Sequence, residues 1–181
     1  RGGGDEPGGG DEPVSGEETL IYSYDYSTEG STVPGYWGQG AEPTVEDGAL
    51  VIVNEEEKEQ IYNLQLFIAN GFNTKEGYTY KIKVTMKAEG EKEGECNLAT
   101  AAWGGSNMDG GFKFGITDDF VEYEMTYANP EDVDQSGAHT LWQSGKFVGT
   151  VYIKKIEIYE IAPDHPIVIE DEPMYDTTIP L

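Results

Sequence analysis

Residues 78–88, YTYKIKVTMKA, decide the fold class of this chain because polar and apolar side chains alternate along the whole stretch. Alternate positions within this stretch carry the apolar side chains Tyr80, Ile82, Val84 and Met86. The intervening positions 81, 83, 85 and 87 carry three lysines and a threonine. Successive side chains of a β-strand point to opposite faces of its sheet. The stretch therefore predicts a strand with one buried and one solvated face, as antiparallel sheets have.

Similar alternation recurs in short runs on both sides of this stretch, each run ended by turn residues. The runs predict nine strands, at residues 19–26, 49–54, 60–69, 78–88, 95–103, 111–117, 120–128, 138–144 and 148–161. No segment has a convincing helical period, and many short strands at this spacing are typical of sandwiches. The sequence therefore predicts an all-β fold, an antiparallel β-sandwich.

The two ends of the chain differ in composition from the part between them. The hexamer GGGDEP occurs at residues 2–7 and again at residues 8–13. Glycine frees the backbone and the carboxylates repel one another, so residues 1–18 are predicted to be a flexible acidic linker. Prolines and scattered acids predict a C-terminal linker or tail at residues 162–181. Residues 19–161 are then the predicted sandwich domain, a module of a longer chain.

Acidic residues dominate the charge of the chain, with 35 Asp and Glu against 11 Lys and Arg, for a net charge of −24 at pH 7. Such a charge repels phosphate backbones and anionic lipids. No hydrophobic run is long enough to span a bilayer. The chain is therefore expected to bind no nucleic acid and to insert into no membrane, and a neutral ligand is favoured. Cys96 is the only cysteine and is expected to be a small buried hydrophobe.

Known catalytic motifs are missing from the sequence. It has two histidines and one cysteine, and no GxSxG, HExxH, phosphate-loop or CxxC spacing. A carboxylate pair of the glycosidase kind stays open as an alternative in a chain with 35 acids, although most of them fall in tails, turns and strand edges. The sequence thus favours a non-catalytic module. The alternatives are a glycosidase or lyase domain on the same fold, and a surface adhesion or packing module.

Two of the predicted strands carry an uncharged face opposite the face expected in the core. In residues 60–69 the core face is predicted to be Tyr62, Leu64, Leu66 and Ile68, and the other face Ile61, Asn63, Gln65, Phe67 and Ala69. In residues 95–103 the corresponding sets are Cys96, Leu98, Thr100 and Ala102, and Asn97, Ala99, Ala101 and Trp103. Amides beside flat apolar groups predict a shallow trough with an aromatic ring at one end.

Tryptophans and amides that lie close together in the sequence are the candidate binding residues. Sugars present apolar C–H faces flanked by hydroxyls, so a flat ring stacks on the face and amides bond to the hydroxyls. In PGYWGQG, residues 34–40, a tryptophan stands in a segment interpreted as a loop at the trough's rim. The predicted carbohydrate-binding residues are Trp37, Asn63, Gln65, Trp103, Asn107, Trp142 and Gln143.

The order of several segments resembles carbohydrate-binding modules of the family 4/9/22 type, which accompany xylanases. These segments are GYWGQG (35–40), DGALVIVN (47–54), NLQLFIANGFNTKEGYTYKIKVTMKAE (63–89), FKFGITDDFVEYEMTY (112–127) and GKFVGTVYIKKIEIYE (145–160). The resemblance implies a β-jelly roll that binds a single glycan chain in a cleft across its concave sheet. It also implies a ligand-facing role for Gln65 and an aromatic platform at Trp103.

One segment departs from the pattern of this family. Many members end with a strand of the form GTIYIDDV, whose aspartate helps to hold a structural calcium, whereas this chain has GTVYIKKIEI with Lys154 and Lys155. A lysine cannot ligate Ca²⁺ and repels it. Either calcium is absent or it uses other oxygens. We predict no cofactor and hypothesise that a lysine replaces the ion by pairing with an early acid such as Asp25.

The resemblance also sets expectations about partners and location. It implies a neutral plant polysaccharide as ligand, with xylan the first candidate. It further implies an adjacent catalytic domain in the same chain, as in gut-bacterial family 10 xylanases that carry such modules attached or inserted. The module is expected to be a monomer with an extracellular, periplasmic or cell-surface location.

Overall fold

The computed structural model describes residues 16–38, 42–101, 107–128 and 135–163, and all structural statements below concern these residues. They form eleven β-strands, β1 (Glu18–Asp25), β2 (Tyr36–Gly38), β3 (Thr44–Glu46), β4 (Ala49–Asn54), β5 (Leu64–Thr74), β6 (Thr79–Gly90), β7 (Gly94–Ala101), β8 (Asn107–Phe114), β9 (Val121–Ala128), β10 (Gln135–Gln143) and β11 (Gly149–Ile161). A single 3₁₀ turn covers Ile61–Asn63. Within these ranges no helix is long and apolar enough to cross a membrane.

The strands form two sheets in which every pairing is antiparallel. The six-stranded sheet has the order β3-β4-β11-β6-β9, with β1 also paired to β11. The five-stranded sheet has the order β2-β5-β10-β7-β8. Most neighbours in space are not neighbours in sequence, because the chain crosses repeatedly between the sheets. The predicted antiparallel β-sandwich is confirmed, and its form is the jelly roll.

Strand β6 has the two faces that its sequence predicts. Tyr80, Ile82, Val84 and Met86 are each at most 1 % exposed and pack between the two sheets. The strand lies between β11 and β9 and pairs with both. Burial of apolar surface contributes roughly 25 cal/mol per Å², so this face alone is a major part of the folding free energy.

The lysines of β6 lie on the outer face of the six-stranded sheet. The Lys81 ammonium lies 2.9 Å from the Glu18 carboxylate, and the Lys83 ammonium lies 3.6 Å from that of Glu122. Both ammonium groups also lie over the Tyr159 ring, at 5.8 and 5.2 Å from its centroid. Such exposed pairs contribute little stability each, and this face is a solvated surface of mixed charge.

The five-stranded sheet supplies the other half of the core. Leu64, Leu66, Leu98 and Trp142 are at most 1 % exposed. Cys96 is buried, as the alternation of its strand predicts, and burial raises the pKa of its thiol to about 12. A thiol in this state is a packing residue and is not a reactive group.

Two short strands and several strand boundaries differ from the sequence prediction, since β8 is Asn107–Phe114 where residues 111–117 were predicted, and β10 is Gln135–Gln143 where residues 138–144 were predicted. Strands β2 and β3 are three residues each, too short for alternation to reveal, so Tyr36–Gly38 was interpreted as a loop although it pairs with the start of β5. Strand β5 begins at Leu64, after the 3₁₀ turn. The placement of Tyr62 in the core was therefore wrong, because its side chain belongs to the turn and is 48 % exposed.

The two ends of the sandwich domain meet on one edge of the six-stranded sheet. Glu18, the first residue of β1, is the cross-strand partner of Ile161, the last residue of β11. The backbone N–H of Ala162 donates to the carbonyl of Glu17 at 3.1 Å, which extends this pairing. The predicted linker at 1–18 and tail at 162–181 lie almost wholly outside the described residues and stay predictions.

A cluster of aromatic rings at the β6–β7 turn leaves no room for a side chain at Gly94. A Cβ atom there would overlap the Phe114 ring and lie 2.6 Å from Cδ1 of Phe147. We expect Gly94→Ala to lower the free energy of unfolding by about 1–3 kcal/mol, because both rings are buried and their displacement would strain the surrounding packing. Urea unfolding followed by circular dichroism measures the change.

Gly115→Ala is the matched control for this substitution. No heavy atom lies within 4 Å of a Cβ built at Gly115, so this variant should unfold within about 0.5 kcal/mol of the parent. Equal urea midpoints for the two variants would show that the ring cluster is not tightly packed around Gly94.

Candidate functional site

Five residues from neighbouring strands, three of them amides, line up across the outer face of the five-stranded sheet. The cross-strand partners are Trp37 with Gln65, Gln65 with Gln143, Gln143 with Asn97, and Asn97 with Gly111. Directly opposed residues share a face of the sheet, and the residues next to the three amides in sequence are buried. We call this set the amide row. With strands about 4.8 Å apart, it extends roughly 19 Å across the strands.

Hydrogen bonds join the three amides of this row. The Asn97 Nδ2 group donates to Gln143 Oε1 at 2.8 Å. The Gln143 Nε2 group in turn donates to Gln65 Oε1 at 2.9 Å. Gln143 is only 4 % exposed, while Gln65 and Asn97 are partly exposed. The row is thus a fixed polar strip whose geometry is set before any ligand arrives.

An apolar strip lies beside the amide row on the same face. Phe67 is the partner of Leu141, and Leu141 is the partner of Ala99. His139 continues this strip, with its ring 5.1 Å from the Phe67 ring, centroid to centroid, in an edge-to-face contact. None of these side chains carries a charge at neutral pH, because burial lowers the pKa of His139 and favours its neutral form. Phe67 and Leu141 are partly exposed, whereas Ala99 and His139 are buried, so the face offers a narrow apolar surface next to neutral hydrogen-bonding groups.

Trp37 stands at the edge of this face. It is 52 % exposed and lies on the short edge strand β2, opposite Gln65. The strand is held closely to β5, because the Phe67 N–H donates to the Gly35 carbonyl at 2.9 Å. The side chain of Tyr36, also exposed, points to the other side of the strand. Tryptophan is enriched at binding interfaces, so a half-exposed ring on a fixed backbone beside the amides is a candidate contact residue.

The structure brings three of the predicted binding residues together, Trp37, Gln65 and Gln143, all in the amide row. Trp103 lies outside the described residues. Asn107 begins β8, but its side chain lies outside the described part of the chain. A contact role for these two residues stays a prediction.

Trp142 is a correction to the predicted site. It is 0 % exposed and lies in the core, where its Nε1–H donates to Ser144 Oγ at 2.9 Å and its ring packs near Phe112 and Phe114. A ligand on the outer face of the sheet cannot reach it. Its neighbour Gln143 points to the opposite side of β10, so the two residues cannot share a face.

Asn63 also differs from its prediction. It lies in the 3₁₀ turn, where its Oδ1 accepts the backbone N–H of Gln60 at 2.9 Å. The strand alternation that placed it beside Gln65 does not apply in a turn. Its side-chain oxygen fixes the start of β5 and is not directed along the amide row.

Leu141 and His139 of this face were missed altogether, whereas Asn97 and Phe67 were placed on the uncharged face but not among the predicted binding residues. The signal was present in the sequence, because His139, Leu141 and Gln143 occupy alternate positions of the predicted strand 138–144. Alternation along that strand places Gln143 with these residues and Trp142 with the opposite set. Residue type alone groups Trp142 with Gln143, whereas alternation separates them.

The residues around Lys154 and Lys155 do not fit a calcium site. Asp25 is the cross-strand partner of Lys155, but the Lys155 ammonium pairs with Glu157, 3.2 Å away. Hydrogen bonds from Ser27 lower the pKa of the Asp25 carboxyl, and the two lysines contribute less. Lys155 therefore places a positive charge in this region, but its close ion pair is with Glu157 and not with Asp25 as hypothesised. The described residues contain no group of three metal-ligating side chains.

The buried position of His139 predicts a pH dependence of stability. Burial lowers its pKa below the unfolded value of 6.5, so the unfolded chain takes up a proton first as the pH falls. The free energy of unfolding should therefore decrease as the pH drops through 6.5. Urea unfolding at about pH 7.5 and about pH 5.5 measures the change. In His139→Gln this part of the decrease should vanish, and an unchanged pH profile would contradict the prediction.

Several solved structures similar to this fold are carbohydrate-binding modules. No protein-family model and no curated protein matches the chain. The structure described as BiXyn10A CBM1, in the apo form, has a TM-score of 0.62 and 27 % identity, with coverage of 77 % of this chain and 96 % of that one. The resemblance drawn from the sequence is confirmed by this match.

Two further solved structures share the fold at low identity. A CBM4 structure has a TM-score of 0.50 and 16 % identity, covering 77 % of this chain and 85 % of that one. The CBM22-1–GH10 modules of xylanase 10B from Clostridium thermocellum, complexed with xylohexaose, have a TM-score of 0.52 and 9 % identity. That match covers 77 % of this chain and 28 % of the other. At these identities the likeness concerns the fold alone.

Proposed function

We propose that this chain is a non-catalytic carbohydrate-binding module that holds a neutral β-1,4-linked polysaccharide across its five-stranded sheet, with xylan as the first candidate. The observation that carries the proposal is the amide row, a hydrogen-bonded strip with an exposed tryptophan at one end and an apolar strip alongside. The match to a solved carbohydrate-binding module at 27 % identity supports the same reading.

The chemistry of this face suits a pyranose chain. A sugar ring presents C–H bonds on its flat sides and hydroxyls around its rim, so Trp37 would stack on a ring while Gln65 bonds to a rim oxygen. Phe67 and Leu141 would lie under a neighbouring C–H surface. Aromatic contacts contribute roughly 0.5–1.5 kcal/mol beyond area burial, and a hydrogen bond contributes about 1 kcal/mol net. With the apolar area buried under the sugar chain added, such contacts give micromolar affinity at best, about −8 kcal/mol.

Trp103 and Asn107 stay in the proposal as further contacts. Trp103 follows β7 by two residues in the sequence, and Asn107 is the first residue of β8. Both strands belong to the same sheet as the amide row. Their contribution would add a second ring and another amide to the site.

Catalysis is the weaker alternative. A glycosidase needs two carboxyl groups that face the bound sugar, about 5–9.5 Å apart. Among the described side chains of the amide row and the apolar strip, none is a carboxylate. A packing module with buried tryptophans is also less favoured, because Trp37 is half exposed.

The module would serve an attached enzyme. We propose that residues 1–18 and 162–181 join it to a glycoside hydrolase of the xylanase kind, in an extracellular, periplasmic or cell-surface location. The acidic Gly, Asp, Glu and Pro composition of the first segment suits an extended tether. The net charge of −24 favours a neutral polysaccharide over an acidic one.

Isothermal titration with xylohexaose, cellohexaose and mannohexaose tests the function directly. Heat release with a micromolar dissociation constant for at least one of the three is expected, with xylohexaose the strongest. Polygalacturonate serves as the acidic control and should not bind. No release of reducing sugar should accompany binding. Absence of binding to all three oligosaccharides would overturn the proposal, and release of reducing sugar would favour the enzyme.

A further inference from the structure

We propose that Gln143 is a positioning residue that sets which end of the Gln65 amide faces the ligand. The inference deepens the proposed function and rests on it. It starts from the direction of the two hydrogen bonds in the amide row, which runs from Asn97 through Gln143 to Gln65.

A carboxamide accepts at its oxygen and donates at its nitrogen, so its two partners must differ in kind. Gln143 accepts from Asn97 at 2.8 Å and donates to Gln65 at 2.9 Å. Rotation of any one of these amides by itself would place oxygen against oxygen or nitrogen against nitrogen. The three amides therefore point the same way and can reverse only together.

The position of Gln143 makes rotation of any single amide in this row unfavourable. It lies on β10, between β5 and β7, and is 4 % exposed. Water has little access to satisfy a displaced donor or acceptor, and a buried unsatisfied polar group is strongly unfavourable. Gln65, which is more exposed, must follow the orientation that Gln143 dictates.

The consequence falls on the ligand side of Gln65. Its carbonyl oxygen is taken by Gln143, so its NH₂ group is the part left to face a ligand next to Trp37. The site then offers a hydrogen-bond donor beside the stacked ring. It would select a sugar oxygen that accepts, such as the ring oxygen, which has no proton of its own.

Gln143→Glu tests the direction with a side chain of the same shape. A carboxylate only accepts, so it keeps the bond from Asn97 but forces Gln65 to rotate and donate to it. Gln65 would then present its carbonyl to the sugar. Xylohexaose affinity should fall about tenfold, equivalent to about 1.4 kcal/mol. Gln60→Glu, the same chemical change on an exposed glutamine, controls for the added charge.

A double-mutant cycle separates positioning from direct contact. In a Gln65→Met background, Gln143→Glu should cause no further loss of affinity, because the amide through which it acts is gone. An equal loss in both backgrounds would overturn the proposal, since Gln143 would then act on the ligand itself.

Hydrogen exchange of side-chain amides, followed by NMR in the ligand-free protein, tests the orientation without any glycan. In the parent protein the Gln143 NH₂ protons should exchange slowly and those of Gln65 fast. In Gln143→Glu the Gln65 protons should become slow. Slow exchange at Gln65 in the parent would overturn the proposal even if the variant does not fold. The predicted exchange pattern without glycan binding would support the orientation and reject the carbohydrate function.

Discussion

Replacing Trp37 by alanine is expected to weaken xylohexaose binding at least about tenfold and to leave the free energy of unfolding within about 0.5 kcal/mol of the parent value. The ring is 52 % exposed on a three-residue edge strand, so its removal opens no cavity in the core. It is also the aromatic end of the amide row, where it lies directly opposite Gln65 on the neighbouring strand. Titration calorimetry and urea unfolding of the same preparation measure the two quantities.

Tyr36→Ala is the matched control for this substitution. Tyr36 is an exposed ring on the same short strand, but its side chain points away from the amide row. Its removal should change xylohexaose affinity less than about twofold. Equal losses in the two variants would place the ligand along the edge of the sheet and not across its face. Trp37→Phe should keep part of the affinity because a smaller ring remains.

Replacing Trp142 by alanine should have the opposite pattern, with a loss of about 3–5 kcal/mol in the free energy of unfolding. The side chain is 0 % exposed, lies near the rings of Phe112 and Phe114, and leaves Ser144 without its donor when it is removed. A loss of this size is a large fraction of the roughly 5–15 kcal/mol that stabilises a domain. Urea unfolding followed by far-ultraviolet circular dichroism gives the value.

Val53→Ala provides the comparison for a side chain outside the core. Val53 is 41 % exposed, so its truncation should change the free energy of unfolding by less than about 1 kcal/mol. Glycan binding by the Trp142 variant should fall only in proportion to the unfolded fraction. A Trp142→Ala protein that stays as stable as the parent but no longer binds xylohexaose would contradict the core position of this ring.

The sequence predicts the sandwich well where strands are long and carry one wet face. Strand β6 is the clearest example, since its lysines and apolar residues alternate without interruption. Strands β2 and β3 escape prediction because three residues contain too few alternations to distinguish a strand from a loop. Each of the two is a strand because it pairs with a longer one, β2 with β5 and β3 with β4.

The candidate site is harder to predict than the fold because it depends on register. Gln65, Gln143 and Asn97 come from strands that are far apart in sequence, and only the order β2-β5-β10-β7-β8 brings them into one row. Alternation places each of them on a face but gives no neighbour across the sheet. Residue type also misleads at Trp142 and Gln143, which are adjacent in sequence and lie on opposite faces.

The pairing of Glu18 with Ile161 determines how the domain would respond to force. Strands β1 and β11 are antiparallel, and β1 begins beside the residue at which β11 ends. Tension on the two flanking segments would therefore open the hydrogen bonds between these strands one after another, starting at this pair. Unzipping of this kind resists less force than shearing, in which all bonds of a strand pair break together. The load would enter the six-stranded sheet, while the amide row lies on the five-stranded one. Tension on the flanking segments would therefore begin to unfold the domain at the six-stranded sheet, on the side opposite its proposed ligand.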